Sequence, residues 1–236
     1  MSIPCDSARY RSMPLVGLLA GCLLAVVGTP ALGDEPAPAE VAKVRIETNL
    51  GNFVVQLEPV RAPLTTANFL WYVKNGHYTG TVFHRVISNF VAQAGGYDEK
   101  YQLKTVRAAV PNESGNGLSN KRGTIGLARS DFAHSGNAQF YVNLTDNDDL
   151  DPTPLRWGYA VFGHVTEGLE IADRIGHTPT GAAGPWPKDA PLDPVVIKRI
   201  EMLTMDGVVV PPPAPVAATA PTAAPAPAPS APPPSK

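Results

Sequence analysis

Two short runs of β-forming residues, 82–87 and 90–94, follow each other with a Ser-Asn pair between them and a Gly pair after them. This pattern is typical of two strands joined by a tight turn, and it favours a β-rich fold. Because strand side chains alternate between two faces, regular alternation would place Arg85 on the same side as Phe83 and Ile87. An arginine on an apolar face is costly unless it is paired or lines a cleft. The alternative is an edge-strand arginine whose charged end extends into solvent, and this stretch alone leaves both possibilities open.

The rest of the chain between residues 42 and 206 repeats this kind of pattern. Short apolar or alternating runs, bounded by Gly, Asn and Pro, predict further strands. These runs are 44–48, 53–57, 123–129, 139–144, 159–165 and 195–203. Two stretches, 64–75 and 168–175, predict helices. Short strands, two helices and long Gly-rich loops describe an antiparallel barrel or sandwich with helical plugs.

The first 33 residues have the composition of an export signal. Two arginines precede an apolar run and a stretch of small residues, which is typical of a secretory signal peptide. We therefore expect cleavage after Gly33 and a periplasmic protein. The Leu-Ala-Gly-Cys segment that ends at Cys22 indicates an alternative, a lipoprotein anchored through that cysteine. The apolar run continues beyond Cys22, which argues against the alternative.

Composition also sets the other boundaries. Residues 34–41 form a short linker, residues 42–206 have the length of one domain, and residues 207–236 form a Pro/Ala-rich tail that is predicted to be disordered. The two cysteines, Cys5 and Cys22, lie in the predicted signal peptide. The domain is therefore predicted to have neither a disulfide nor a Cys-based metal site. The net charge of −2 comes without a basic block, which argues against nucleic acid and anionic membrane surfaces as partners.

The domain offers little for nucleophilic or metal chemistry. It has no Gly-x-Ser-x-Gly, and residues 130–134 bring Ser, Asp and His together only as a polar loop does. The acidic run 146–151 lacks the glycine and final glutamate of a calcium loop, and the histidines lack zinc-ligand spacing. We therefore expect no metal site. An arginine and a glutamine among aromatic residues suit an uncharged, partly apolar peptide. The aromatic candidates are Phe90, Phe140, Tyr141 and Tyr159.

Four blocks of the sequence occur in an informative order. They are Phe-His-Arg-Val-Ile-x-x-Phe-Val-x-Gln-x-Gly-Gly from residue 83, Gly-Thr-Ile-Gly-Leu-Ala-Arg from 123, Gln-Phe-Tyr-Val-Asn from 139 and Gly-Tyr-Ala-Val-Phe-Gly from 158. Together they resemble the cyclophilin family in its bacterial secreted form. The resemblance implies a closed eight-stranded antiparallel β-barrel capped by two α-helices. It also implies a peptidyl-prolyl cis-trans isomerase without a cofactor that acts on proline-containing segments of unfolded or flexible exported proteins, and we expect a monomer.

By position, the resemblance places the family's catalytic arginine on Arg85. The proline pocket falls on Phe90, Val91, Tyr141 and Leu150, and the glutamine that holds substrate and arginine falls on Gln93. The segment that binds the peptide backbone falls on Ala128, Arg129 and Ser130. A groove position that is commonly His falls on Tyr159. Where eukaryotic members have a tryptophan near the pocket, this chain has Asp149. We therefore expect cyclosporin to bind weakly.

The implied reaction suits an arginine that works without a nucleophile. Rotation about an X–Pro bond must overcome a barrier of ~18–20 kcal/mol, because it breaks amide resonance. The nitrogen of the twisted amide regains a lone pair, and a guanidinium aimed at it would donate a hydrogen bond mainly in the transition state. The leading alternative is a proline-peptide-binding chaperone or scaffold module with little catalysis.

Overall fold

The computed structural model describes residues 43–204 and 206–210. The predicted signal peptide with Cys22, the linker and residues 211–236 of the predicted tail lie outside these described residues. Within the described ranges, no helix is long and apolar enough to span a membrane.

Eight antiparallel strands close into a barrel, which confirms the predicted fold class. The described strands are β1 (Lys43–Thr48), β2 (Gly51–Leu57), β3 (Thr81–Ile87), β4 (Val91–Asp98), β5 (Thr124–Leu127), β6 (Phe140–Asn143), β7 (Val161–Glu167), β8 (Thr180–Ala183), β9 (Trp186–Pro191) and β10 (Val196–Leu203). Around the barrel the order is β1, β10, β3, β4, β6, β5, β7 and β2, and every neighbouring pair is antiparallel. Because the barrel is closed, each of these eight strands has a hydrogen-bonded neighbour on both sides.

Two helices pack on this barrel, as the sequence predicted. Helix α1 (Pro63–Lys74) begins at a proline, whose fixed φ suits the first helical position. The carboxylate of Glu113 accepts a hydrogen bond from the main-chain N–H of Thr65 at 2.8 Å, which places a negative charge at the positive end of the helix. The ring of Phe69 joins the main hydrophobic core. Helix α2 (Leu169–Gly176) contributes its buried isoleucines to the same core.

Strands β8 and β9 form a separate two-stranded sheet, in a region where the sequence analysis predicted no strand. The two strands contain few β-branched or aromatic residues, so their propensity gave little indication of a hairpin. The hairpin lies against β3. The ring of Trp186 on β9 lies 4.9 Å from the ring of His84 on β3. Tertiary packing therefore accounts for a hairpin that local propensity does not favour.

Candidate active site

A β-bulge decides which way the arginine of β3 points. Phe83 is paired with Ala94 and Arg85 with Gln93, so three residues of β3 lie opposite two residues of β4. The extra residue, His84, shifts the phase of the strand. Phe83 and Val86 consequently both join the barrel core, whereas Arg85 is half-buried on the outer face. Regular alternation predicted that Arg85 shares the side of Phe83, and that prediction is wrong because the bulge interrupts the alternation.

Arg85 begins a row of residues that crosses four strands on the outer face of the barrel. The paired residues along this row are Arg85, Gln93, Tyr141 and Gly126. Residues directly opposite each other in an antiparallel pair project from the same face. Gln93 Oε1 accepts a hydrogen bond from Arg85 Nη1 at 3.5 Å, and Gln93 Nε2 donates to Gln139 Oε1 at 2.9 Å. The strand pairing thus brings Arg85, Gln93 and Tyr141 together on one face.

Gln139 and His84 support this row, although the sequence analysis gave neither of them a site role. His84 is only 1 % exposed and lies between Tyr97, at 4.8 Å between ring centroids, and Trp186. Desolvation, together with the neighbouring Arg85 charge, lowers the pKa of His84 to about 4. Hydrogen bonds to the Val82 backbone and the Gln139 side chain raise this pKa, but by less. His84 is therefore neutral at pH 7. Both residues lie within the quoted sequence blocks, but their contacts depend on the bulge and the β9 hairpin.

A small apolar cluster lies beside this row and is separate from the main core. It consists of six of the predicted substrate-binding residues: Phe90, Val91, Ala128, Tyr141, Leu150 and Tyr159. The rings of Tyr141 and Tyr159 meet almost perpendicularly, with centroids 6.0 Å apart. Leu150 ends a 3-10 turn at residues 148–150, in which Asp149 is exposed. The fold therefore joins residues from five separate segments into one apolar cluster, and Tyr141 connects this cluster to the row that begins at Arg85.

A buried network of asparagines holds the pocket in place. Tyr141 Oη donates to Asn120 Oδ1 at 2.6 Å, and Asn120 Nδ2 donates to Asp151 Oδ1 at 2.7 Å. Asn147 Nδ2 donates to the carbonyl of Phe90 at 2.9 Å. Burial raises the pKa of Tyr141 well above its ordinary value, so this phenol stays protonated. Since the hydroxyl of Tyr141 is hydrogen-bonded to the buried Asn120, the part of this side chain that lines the pocket is its ring. Sequence spacing does not bring these asparagines together, and the sequence analysis missed them.

The segment Ala128–Ser130 borders the pocket and is fixed mainly by Arg129. The Arg129 guanidinium donates to the carbonyls of Ser130 (2.8 Å), Trp157 (2.8 Å) and Gly158 (3.1 Å). It also lies 4.5 Å from the centre of the Tyr159 ring. Arg129 therefore ties the loop that precedes Tyr159 to the strand edge. Among the described residues, none hydrogen-bonds the main-chain N–H or C=O of Arg129, so this short edge is open to an extended peptide.

Phe140 does not belong to this surface, which corrects its place among the aromatic candidates. It is 0 % exposed and pairs with Ala94 and Leu127 inside the barrel. Its ring packs edge-on at 5.4 Å from the ring of Tyr78. Since Phe140 and Tyr141 are consecutive on β6, their side chains point to opposite faces, and only one of them can face the groove.

The described part of the chain contains no group of three or more His, Cys, Asp or Glu side chains that could hold a metal ion. The chemistry available on the groove is therefore that of a half-buried guanidinium, a carboxamide, an open strand edge and an apolar pocket. These groups can bind and orient an extended, uncharged peptide.

Comparisons with known proteins agree with this geometry. Residues 43–202 match the family model "Cyclophilin type peptidyl-prolyl cis-trans isomerase/CLD". Peptidyl-prolyl cis-trans isomerase cyp18 of Streptomyces antibioticus is 44 % identical over 166 residues, which are 69 % of this chain and 99 % of the relative. Peptidyl-prolyl cis-trans isomerase B of Escherichia coli is 39 % identical over 160 residues, 66 % of this chain and 97 % of the relative.

A solved structure shows the same fold. It is a cyclophilin type peptidyl-prolyl cis-trans isomerase from Cryptosporidium parvum, crystallised in the presence of the dipeptide Ala-Pro. The two structures superpose with a TM-score of 0.57 at 24 % sequence identity, over 69 % of this chain and 99 % of the other.

Proposed function

Because this chain belongs to the cyclophilin-type peptidyl-prolyl cis-trans isomerase family and is itself a peptidyl-prolyl cis-trans isomerase, we propose that Arg85 is its catalytic residue and that its substrates are X–Pro bonds of exported proteins. The observation that supports this role best is the row formed by Arg85 and Gln93 beside the six-residue apolar pocket. A proline ring in that pocket would place its amide nitrogen next to the guanidinium.

Stabilisation of the twisted amide accounts for the rate enhancement. In the planar ground state the nitrogen lone pair is delocalised into the carbonyl, so the nitrogen is a poor hydrogen-bond acceptor. At the top of the barrier the nitrogen is pyramidal and its lone pair is available. An N–H of Arg85 donates to it there and hardly at all in the ground state, which lowers the barrier selectively. The step needs neither proton transfer nor a covalent intermediate.

The rest of the groove holds the substrate so that rotation occurs about one bond. The apolar pocket grips the proline ring, and the open main chain of Arg129 pairs with the extended peptide on one side of it. Gln93 accepts a hydrogen bond from Arg85 and is itself anchored by Gln139. These contacts restrict the arginine before the substrate arrives, so less reorganisation is needed in the transition state.

Substitution of Arg85 tests the proposed mechanism. A hydrogen bond from a charged group is worth ~1.5–3 kcal/mol, so Arg85→Ala should lower kcat/KM about 10- to 100-fold on an X-Pro peptide. Arg85→Lys should recover only part of the loss, because an ammonium lacks the planar fork of a guanidinium. Rates are measured by protease-coupled cleavage and by NMR exchange, with circular dichroism as the check on folding.

Arg45→Ala is the matched control, since Arg45 is also a half-buried arginine on a barrel strand, paired with Glu201 at 3.4 Å. It should keep the parent kcat/KM. Full turnover by a folded Arg85→Ala variant would refute the assigned role. Peptide-induced NMR shifts without faster exchange in the parent protein would instead indicate a binding module.

We also propose that the protein is exported and works outside the cytoplasm, where slow X–Pro isomerisation limits the folding of translocated chains. The support is the basic, apolar and small-residue pattern of residues 1–33. Mass spectrometry of the mature protein should find an N-terminus near Asp34. A diacylglyceryl group on Cys22 would replace this cleavage site with lipoprotein processing, and an intact Met1 in the purified protein would contradict export.

A further inference from the structure

The C-terminal segment of this chain, residues 211–236, is itself rich in X–Pro bonds. Eleven of the 26 residues from 211 to 236 are proline, and six of these follow an alanine. The segment has no acidic residue, and its one basic residue is Lys236. An isomerase whose groove binds uncharged X–Pro peptides is thus covalently joined to six small, uncharged X–Pro units. We propose that this segment, the proline tail, occupies the groove of its own domain and competes with substrates there; the inference rests on the groove proposed above.

The described chain fixes the point from which the proline tail starts. Val209 pairs with Leu203, and the main-chain N–H of Val210 donates to the carbonyl of Met202 at 2.8 Å. Residues 208–210 therefore fold back on the end of β10. Strand β10 pairs with β3, which carries Arg85, at Val196 and Ile197, whereas the anchor lies at the other end of β10. The proline tail is tethered to the body of the enzyme without an additional linker.

The length of the proline tail determines which prolines can reach the groove. A domain of this size has a radius of gyration of about 15 Å, so the path over half of its surface is roughly 60 Å. At the polyproline spacing of ~3.1 Å per residue, Pro232 reaches about 68 Å from Val210 and Pro225 about 46 Å. Pro211 to Pro213 reach less than about 10 Å by the same measure. By this measure Pro232 can reach a groove on any face, Pro225 can reach a groove within about 46 Å of Val210, and the first three prolines can reach none beyond about 10 Å.

Tethering gives the proline tail a high local concentration. A segment joined through a chain of this length is presented to its own domain at roughly millimolar effective concentration. Substrates of typical enzymes have KM values up to about 1 mM, so a tail unit of similar affinity occupies the groove about half of the time. Competition of that size raises the apparent KM for an added peptide about twofold, and leaves kcat unchanged because saturating substrate displaces the tail.

The surface around the groove suits such a segment. Leu155 is 99 % exposed, Trp157 is 49 % exposed and Phe132 is 80 % exposed. The carbonyl of Trp157 accepts a hydrogen bond from Arg129, which borders the pocket, and the ring of His134 meets the Trp157 ring edge-on, with centroids 5.1 Å apart. Aromatic and apolar surfaces are the usual docking sites of proline-rich segments. Leu155 and Trp157 line one surface concavity, and Arg129 connects Trp157 to Tyr159 of the apolar pocket, so a Pro/Ala segment that leaves the pocket there meets apolar surface.

NMR exchange spectroscopy on the full chain tests the inference directly. Cis-trans exchange at the distal Ala-Pro bonds should be faster than in a synthetic peptide of residues 211–236 at the same temperature. The acceleration should vanish in Arg85→Ala and should not depend on protein concentration. Exchange as slow as in the free peptide would overturn the inference, and acceleration that grows with concentration would overturn docking within one chain in favour of docking between copies.

Kinetics with matched tail variants give an independent readout. Replacement of Pro225, Pro227, Pro229 and Pro232 by alanine should lower the apparent KM for an added X-Pro peptide about twofold at constant kcat. Replacement of Pro211, Pro212 and Pro213 is the control and should leave both constants unchanged. Equal KM values in the two variants would contradict competition by the distal prolines. If Arg85→Ala keeps full activity, the proposed catalytic role fails; if only the tail variants show no effect, that role stands and the tail is a spacer.

Discussion

Gly126 lies under the ring of Tyr141, and this contact allows a sharp test of how the pocket is built. A Cβ placed on Gly126 would lie 2.3 Å from both Cζ and Oη of Tyr141 and 2.8 Å from Cε1. Carbon atoms in ordinary contact are ~3.5–4.0 Å apart, so in Gly126→Ala the ring must retreat by about 1 Å. Tyr141 Oη donates to Asn120 Oδ1 at 2.6 Å, and a retreat of that size breaks or badly distorts the bond.

The expected cost of Gly126→Ala follows from these two contacts. Overpacking of a filled site costs ~1–3 kcal/mol, and leaving the buried hydroxyl or the Asn120 carbonyl unpaired costs a further ~1–3 kcal/mol. We expect the free energy of unfolding to fall by ~2–6 kcal/mol and the melting temperature by roughly 4–24 °C for a domain of this size. A displacement of ~1 Å in a group that positions substrate can cost up to ~100-fold in rate. We therefore expect kcat/KM to fall at least tenfold.

The assay compares unfolding in urea with isomerase activity at a temperature where both variants are folded. Gly115→Ala is the matched control, because a Cβ at that position meets nothing within 4 Å, and it should leave stability and kcat/KM close to the parent values. Gly126→Ala that behaves like Gly115→Ala would refute the tight contact with Tyr141. A variant that loses stability but keeps kcat/KM would refute the placement of the Tyr141 ring in the proline pocket.

Two other residues give further predictions. Lowering the pH from 7 to 4 should cost ~3 kcal/mol of unfolding free energy through His84, because this side chain takes up a proton near pH 6.5 when unfolded but only at about pH 4 in the fold. Because the folded-state pKa of His84 is depressed, its contribution to stability is complete above pH 6.5 and is lost as the pH falls. Urea unfolding of the parent and of His84→Gln at several pH values checks this. An equal dependence of the unfolding free energy on pH in both proteins would contradict it. Arg129→Ala removes three hydrogen bonds to carbonyls and the contact with Tyr159, so we expect faster amide hydrogen exchange at residues 157–159 and a several-fold lower kcat/KM. Unchanged exchange there would show that Arg129 does not hold the loop.

The sequence predicted the barrel because its local and its long-range features agree. Each barrel strand is a short β-forming run bounded by turn residues, and four blocks in family order specified the closed topology. The hairpin of β8 and β9 was missed, since it contains Gly181 and prolines where a strand would ordinarily have β-branched residues. Its formation depends on packing against β3, which a local pattern does not contain.

The sequence proposes positions for the candidate site but does not give the directions of their side chains. Residue numbers transfer through a motif, but the direction of a side chain depends on strand phase, and a single extra residue changes it. The bulge at His84 turned Arg85 away from the core, and simple alternation on β6 placed Phe140 inside the barrel while Tyr141 faces out. Likewise, the contacts of Asn120 with Tyr141 and of Gln139 with Gln93 join residues more than 20 positions apart. Only the folded register brings these partners together.

The hydrogen bonds around the groove also bear on the role that we propose for Arg85. The hydroxyl of Tyr141, the carboxamide of Gln139 and the guanidinium of Arg129 all have partners within the protein. Among the described residues, Arg85 donates only to Gln93, through one nitrogen at 3.5 Å. A guanidinium has five N–H donors, so most of the Arg85 donors have no partner among the described residues. In the mechanism that we propose, these unpaired donors supply the positive group that the lone pair of a twisted amide requires.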